Sequence, residues 1–265
     1  MALAAAVLPL PAAAQPPSQP PPLPPLAEEV PFITTPDNVT LALLRLAGVR
    51  RGDHVIDLGS GDGRIVITAA RRFGASGLGV EIVPELVARS RAAAASAGVA
   101  AKAEFLEQDL FKTDLSRATV VTMYLLPEVN LQLRPALLAL APGTRIVSHD
   151  WDLGDWLPDE TLVVDAPAKT IGREKKSRLY RWVVPAPLAG LWCGDGGLQW
   201  RISQQYQFVQ LSWQQGPRGW TLPGRLDGAA LQLVGAAPGP LRWQARGDEL
   251  VAGAQRLRRR GGEGC

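Results

Sequence analysis

Cysteine is scarce in this chain: among 265 residues there are two, Cys193 and Cys265. Two are too few for a disulfide framework, and their distance apart excludes a local zinc site. A single bridge in an oxidising compartment is the remaining option. Charge of one sign is also scarce, since 28 basic residues stand against 25 acidic ones, a net +3. A protein that reads a nucleic-acid groove carries a basic stripe on a folded element. Here much of the excess sits in the run Arg256, Arg258, Arg259, Arg260, which reads as a solvated basic tail. No nucleic acid and no metal are therefore expected as partners. A long hydrophobic run is missing too. The apolar opening Met1 to Gln15 is short and is broken by Pro9 and Pro11, so it is no membrane-spanning helix.

What is present is unevenly distributed. Apolar residues reach 46%, enough for a full core. Nine of the 23 prolines fall in the first 25 residues, and five of the eight tryptophans follow Pro187. This pattern divides the chain into three: residues 1–30, an apolar leader and proline-rich spacer; 31–186, the central body; and 187–265, a small β domain with a basic tail. The leader ends in Ala12-Ala13-Ala14, the small-residue signature of a signal-peptidase site, but lacks the usual basic start. Export or membrane association and a plain cytoplasmic leader both remain open. Residues 16–25 read as a polyproline II spacer.

In the central body, apolar runs alternate with helical patterns, the sign of a mainly parallel α/β sheet. Thr35-Pro36-Asp37 reads as a helix start, with threonine as cap and proline at the first helical position. Strands are predicted over 54–58, 77–82, 103–108, 118–124 and 144–149, with helices over 62–73, 84–97 and 127–140. The stretches 161–166 and 178–184 are close enough to form an antiparallel pair at the end of the sheet.

The segment Val55-Ile56-Asp57-Leu58-Gly59-Ser60-Gly61-Asp62-Gly63-Arg64 carries the most information. A buried strand runs into a glycine-rich turn and then a helix, where the backbone must turn sharply and lie close to a ligand. Glu81 ends the next strand, placed to accept hydrogen bonds from a ribose diol. Asp109-Leu110 ends the third, where a carboxylate meets an adenine amino group. A dinucleotide site wants G-x-G-x-x-G, but its third glycine would fall on Arg64. The observed G-x-G-x-G resembles motif I of class I S-adenosylmethionine-dependent methyltransferases. That resemblance implies a Rossmann-like sheet of seven strands with the last pair antiparallel. It also implies S-adenosylmethionine, a sulfonium without phosphate, which suits carboxylates.

The Asn/Asp-Pro-Pro-Tyr/Phe of base-methylating enzymes is absent after the fourth strand, which reads Thr122-Met123-Tyr124-Leu125-Leu126-Pro127. Instead, that segment, Pro31-Phe32-Ile33-Thr34-Thr35-Pro36, the glycine loop through Ile67, Asp109-Leu110-Phe111, Asp114-Leu115-Ser116 and Pro142 to Asp150 together resemble another group. They are similar to the lysine methyltransferases of the mitochondrial ATP synthase c-subunit and adenine nucleotide translocase, with their prokaryotic relatives. The resemblance spans about residues 31–156. It implies protein-lysine N-methylation, with an accessible lysine of a protein, a membrane protein among the candidates, as acceptor. It places Phe32, Thr34, Thr35 and Pro36 over cofactor and substrate. Asp57, Gly59, Ser60, Gly61, Gly63, Glu81, Asp109 and Leu110 fall to the cofactor.

Tyr124, His149 and Asp150 are the candidate catalytic residues. Tyr124 either hydrogen-bonds the amine or caps the sheet edge. His149 is a proton acceptor or a structural histidine, and Asp150 contacts the amine or a loop. Trp151 and Trp156 either wall the pocket or pack. The proline spacer and the last 80 or so residues depart from the family.

In residues 188–265 apolar and polar residues alternate with period two and turns come at short intervals, which predicts a lipocalin-like meander or small open barrel. A packed accessory module is the first reading of it, a small-ligand cup the second. Two other functions compete with lysine methylation. One is a small-molecule methyltransferase. The other is an exported, non-catalytic binding protein using the β module, because a periplasm is not expected to supply S-adenosylmethionine.

Overall fold

The computed structural model describes residues 33–170, 174–216, 218–236, 239–262 and 264–265. The leader, the spacer and Phe32 lie outside these. Residues 31–265 make up one compact unit.

Its first layer is a sheet. The elements are α1 (Asp37–Leu46), β1 (His54–Leu58), α2 (Arg64–Thr68, continued by a π turn to Phe73), β2 (Ser76–Glu81), α3 (Pro84–Ser96), β3 (Ala103–Glu107), β4 (Val120–Met123), α4 (Pro127–Leu138), β5 (Arg145–His149), β6 (Glu160–Asp165) and β7 (Lys176–Val183). The order is β3-β2-β1-β4-β5-β7-β6. The first five strands are parallel, and β7 runs antiparallel to β5 and β6. This is the predicted seven-stranded architecture. Val55, Ile56 and Leu58 of β1 are buried, as a strand covered by helices on both faces requires. Pro84 and Pro127 open α3 and α4, where a missing N–H costs nothing.

The start of α1 differs from expectation. Pro36 is the cap itself, in an extended conformation with no side-chain cap bond, and its carbonyl accepts from the Thr40 amide at 2.8 Å. The Thr35 hydroxyl is engaged instead with His149 Nδ1 at 3.1 Å. A long-range partner has displaced the local one.

The second layer is a barrel. Strands β8 (Gly190–Cys193), β9 (Gln199–Gln205), β10 (Phe208–Gln215), β11 (Arg218–Asp227), β12 (Ala230–Leu233), β13 (Arg242–Arg246), β14 (Glu249–Ala252) and β15 (Gln255–Arg260) pair in sequence, and β15 returns to β8. The expected open barrel is thus closed, and the expected basic tail is its closing strand. Alternation explains both: Leu257 points inward and is fully buried, while Arg256, Arg258 and Arg260 face out. Arg258 Nε reaches Glu249 at 3.1 Å, and the Arg259 guanidinium lies 4.6 Å above the Trp192 ring. The interior is not solid. A cavity of about 230 Å³ lies among Trp200, Trp213, Trp220, Trp243 and neighbouring leucines. Cys193 and Cys265 are bonded, with Cα atoms 5.6 Å apart.

Sheet and barrel share a tight seam. Tyr206 stacks on Trp156 at 5.8 Å and donates its hydroxyl to Asp155 at 3.0 Å. Gln207 Nε2 donates to the Leu157 carbonyl at 2.7 Å, and Arg225 meets Asp159 at 2.7 Å. Behind them Trp182 is fully buried and donates Nε1 to the Trp156 carbonyl at 2.7 Å.

Two stability outcomes follow. Trp182→Ala opens a cavity at this seam, and urea unfolding is expected to show a loss of about 3–5 kcal/mol. Cys265→Ser releases a loop of 72 residues, and a loss of about 2–4 kcal/mol is expected under non-reducing conditions. An unchanged midpoint in either titration contradicts the corresponding account.

Candidate active site

The glycine loop lies where β1 ends. Gly59 has φ +72°, and a Cβ built on it would stand 2.8 Å from Leu125 Cδ2. Gly63 has φ +77°, with the Phe105 ring 2.6 Å from any Cβ. Conformation disfavours a side chain at both, and at Gly63 the Phe105 ring and Ser90 Cβ also leave no room. The amides of Gly59 and Ser60 both donate to the Val80 carbonyl at 2.9 Å, so the loop is fastened to β2. Ser60 Oγ is buried without a partner.

Carboxylates stand at the ends of the first three strands. Asp57 is almost fully buried and accepts from Thr122 Oγ1 at 2.6 Å. Burial pushes its pKa up to about 7, against the Thr122 hydrogen bond and with help from the charges of Glu81 and Asp62. Glu81 accepts from the Gly61 amide at 3.0 Å and from Ile82 and Val83 at 2.8 and 3.1 Å, which aims it at the loop. Asp109 caps the turn Leu110–Lys112 by accepting from the Phe111 amide at 3.0 Å. Leu110 beside it is half-buried against the core. Asp62 pairs with Arg64 at 2.6 Å, and Arg64 Nη1 donates to the Thr35 carbonyl at 2.7 Å. That bond ties the segment holding half-buried Thr34 and buried Pro36 to the loop.

A second group lies at the ends of β4 and β5. His149 is fully buried. Its Nδ1 meets Thr35 Oγ1, its Nε2 meets Ser177 Oγ at 2.7 Å, and its ring lies 3.9 Å from that of Tyr124. Burial lowers its pKa to about 4. Both ring nitrogens are thus engaged, and the ring packs against Tyr124. Asp150 has φ +64°, an unusual conformation for a residue with a side chain. Its Oδ1 accepts from the Arg178 amide at 3.0 Å, and its Oδ2 from Lys169 Nζ at 2.6 Å and from the Tyr124 hydroxyl at 3.2 Å. Burial raises the Asp150 pKa, but the Lys169 and Arg178 hydrogen bonds and the charges of His149 and Lys169 outweigh it and leave the carboxyl low. Burial, then the Asp150 charge, raises the Tyr124 pKa, so the phenol keeps its proton.

Trp151 is exposed, whereas Trp156 is fully buried in the core. Among the described residues no cluster of three metal-ligating side chains occurs. Sequence reasoning passed over Ile82, Thr122, Lys169 and Ser177. Ile82 is 67% exposed beside Glu81, and its signal is its place directly after a strand-ending carboxylate. Thr122, Lys169 and Ser177 gave no local signal, since each is recognised only by a distant partner.

An orphaned buried hydroxyl at Ser60 and a backbone cradle at Gly59 fit a ligand lying against the loop, and the carboxylates fit a cationic one. With the sheet order, these features make the molecule a class I S-adenosylmethionine-dependent methyltransferase. Residues 57–160 match the model of the ANTKMT methyltransferase domain. A protein-lysine N-methyltransferase of Saccharolobus islandicus (strain REY15A) is 44% identical over 138 residues, 51% of this chain and 86% of that protein. The lysine N-methyltransferase of the ATP synthase c-subunit in Mus musculus is 36% identical over 133 residues, 50% of this chain and 53% of that protein. The chain thus spans about half the length of that mammalian relative. The crystal structure of an RNA methyltransferase from Salinibacter ruber, in complex with S-adenosyl-L-homocysteine, is 49% identical with TM-score 0.54, covering 59% of this chain and 96% of that one. The chain belongs to the ANTKMT-type family of S-adenosylmethionine-dependent methyltransferases.

The pH dependence of stability checks the state of Asp57. Its pKa is about 7 folded against 3.8 for the free side chain, so the folded chain holds a proton that the unfolded chain releases. The stabilisation is complete below pH 3.8 and is lost as pH rises through about 7. Asp57→Asn is therefore expected to raise the melting temperature of the cofactor-free protein at pH 8 and to leave it nearly unchanged at pH 4. Equal melting temperatures at pH 8 would place the Asp57 pKa near its ordinary value.

Proposed function

We propose that the chain transfers the methyl group of S-adenosylmethionine to the ε-amine of a protein lysine. The carrying observation is Asp150 Oδ2, which holds an ammonium group at 2.6 Å beside the Tyr124 hydroxyl, at the strand ends where an acceptor enters. The activities of the relatives from Saccharolobus islandicus and Mus musculus support it.

Bound S-adenosylmethionine supplies an electrophilic methyl group on a sulfonium. Gly59, Ser60, Gly61 and Gly63 form the backbone cradle. Asp57 receives the ammonium of the amino-acid portion, Glu81 the ribose hydroxyls and Asp109 with Leu110 the adenine, against Ile82. Thr34 and Pro36 close the site from the α1 side. Tyr124 and Asp150 orient the acceptor amine, and His149 fixes the Tyr124 ring. A lysine amine attacks only when neutral, and its free pKa is about 10.4. Apolar surroundings favour the neutral form, while Asp150 stabilises the charged one. Asp150 is therefore assigned to positioning the amine, and the proton passes to water.

Calorimetry separates the roles. Asp57→Ala and Glu81→Ala are expected to abolish S-adenosylmethionine binding with the fold retained. Tyr124→Phe is expected to spare binding and reduce turnover at least about tenfold. Radiolabel in RNA or in small solutes, with none in protein, would refute lysine as the acceptor.

The apolar leader ending Ala12-Ala13-Ala14 and the Cys193–Cys265 bond favour an oxidising compartment, whereas use of S-adenosylmethionine favours the cytoplasm. N-terminal sequencing of the native protein decides between them: a start at Gln15 supports export, and an intact leader overturns it.

A further inference from the structure

Lys169 lies in the connection between β6 and β7, yet only 12% of its side chain is exposed. Its Nζ rests 2.6 Å from Asp150 Oδ2 and donates to the Lys176 carbonyl at 2.8 Å. Its own carbonyl accepts from Lys175 Nζ at 2.5 Å. Two polar contacts thus hold the lysine amine inward, against the carboxylate that also accepts from Tyr124, and a third fixes its backbone. A merely structural bridge has little to gain from this arrangement. Taking both charges largely out of water costs much of what their attraction returns, and a lysine offers a point charge where arginine would offer a two-pronged bond. What lysine alone offers at this place is a primary amine that accepts a methyl group.

We propose that Lys169 fills the acceptor-amine seat of the free enzyme and is itself methylated by it. The proposal rests on Tyr124 and Asp150 forming that seat. In the step, Nζ–H gives its proton to water and the neutral amine forms an N–CH₃ bond. The S–CH₃ bond of S-adenosylmethionine breaks, with its electron pair left on sulfur as a neutral thioether. The positive charge passes from sulfur to nitrogen, so the methylated amine is cationic as formed and the ion pair with Asp150 survives while one donor is lost. An incoming lysine competes with Lys169 for the same oxygen.

Two measurements test this on the full chain. In the first, the protein is incubated with S-adenosylmethionine, with and without an added lysine-rich protein, and its peptides are mapped by mass. Methyl groups on Lys169, absent in Lys169→Arg, support the proposal. A methylated added protein beside an unmodified Lys169 overturns it and leaves the lysine-methyltransferase reading intact. Bound cofactor with no lysine methylated anywhere defeats that reading instead. The second measurement needs no turnover: Nα-acetyl-lysine methylamide is titrated into the cofactor-free chain. Lys169→Ala is expected to bind it at least about tenfold more tightly than the unaltered protein, because the seat is free. Equal affinities show that Lys169 does not fill the seat.

Discussion

The hydrogen bond from Thr122 to the buried carboxyl of Asp57 fixes much of the molecule's business end. It joins the penultimate residues of two adjacent parallel strands, β1 and β4, just before the chain leaves the sheet. An ionised carboxylate there costs free energy unless a donor or a cation meets it. Thr122 supplies the donor, and a cationic ligand supplies the rest. The glycine loop departs from the same strand end, so the cradle and its charge are set by one piece of rigid sheet. Burial makes the site both uncomfortable when empty and selective when filled.

The acceptor side is built differently. Its residues come from four places: Thr35 before α1, Tyr124 after β4, His149 and Asp150 at the end of β5, and Ser177 in β7. None neighbours all the others in sequence, and the buried His149 ring joins them. The positive φ of Asp150 turns its carboxylate back over the sheet, and the antiparallel partner β7 supplies the amide that holds it there. A few residues on, Asp155, Leu157 and Asp159 are gripped by the barrel through Tyr206, Gln207 and Arg225. The barrel thus bears on the segment that leads away from Asp150.

Much of the sheet was legible because its signals are local. Continuous apolar runs marked β1, β4 and β5, prolines marked α3 and α4, and G-x-G-x-G marked the cradle. Glu81 and Asp109 followed from their places at strand ends. What escaped depends on partners far along the chain. Thr35 reads as a helix cap until His149, 114 positions away, takes its hydroxyl. The arginines near residue 258 read as a tail until β8 is there to pair with them. The alternating strands announced a barrel, but closure is a property of the two outermost strands together. Lys169 looks like any loop lysine until Asp150 is brought within reach.

The pairing of β8 with β15 also sets an order of events. The seven-stranded sheet is complete once residue 183 is available, whereas β8 waits for a partner more than sixty residues further on. Such a long closure is slow compared with the short hairpins between β9 and β15. On the ribosome the catalytic layer accordingly assembles first, with the Asp155–Asp159 stretch still bare. The residues that grip this stretch, Tyr206, Gln207 and Arg225, all belong to chain made after the sheet, so the flank beside Asp150 is covered by what is synthesised last.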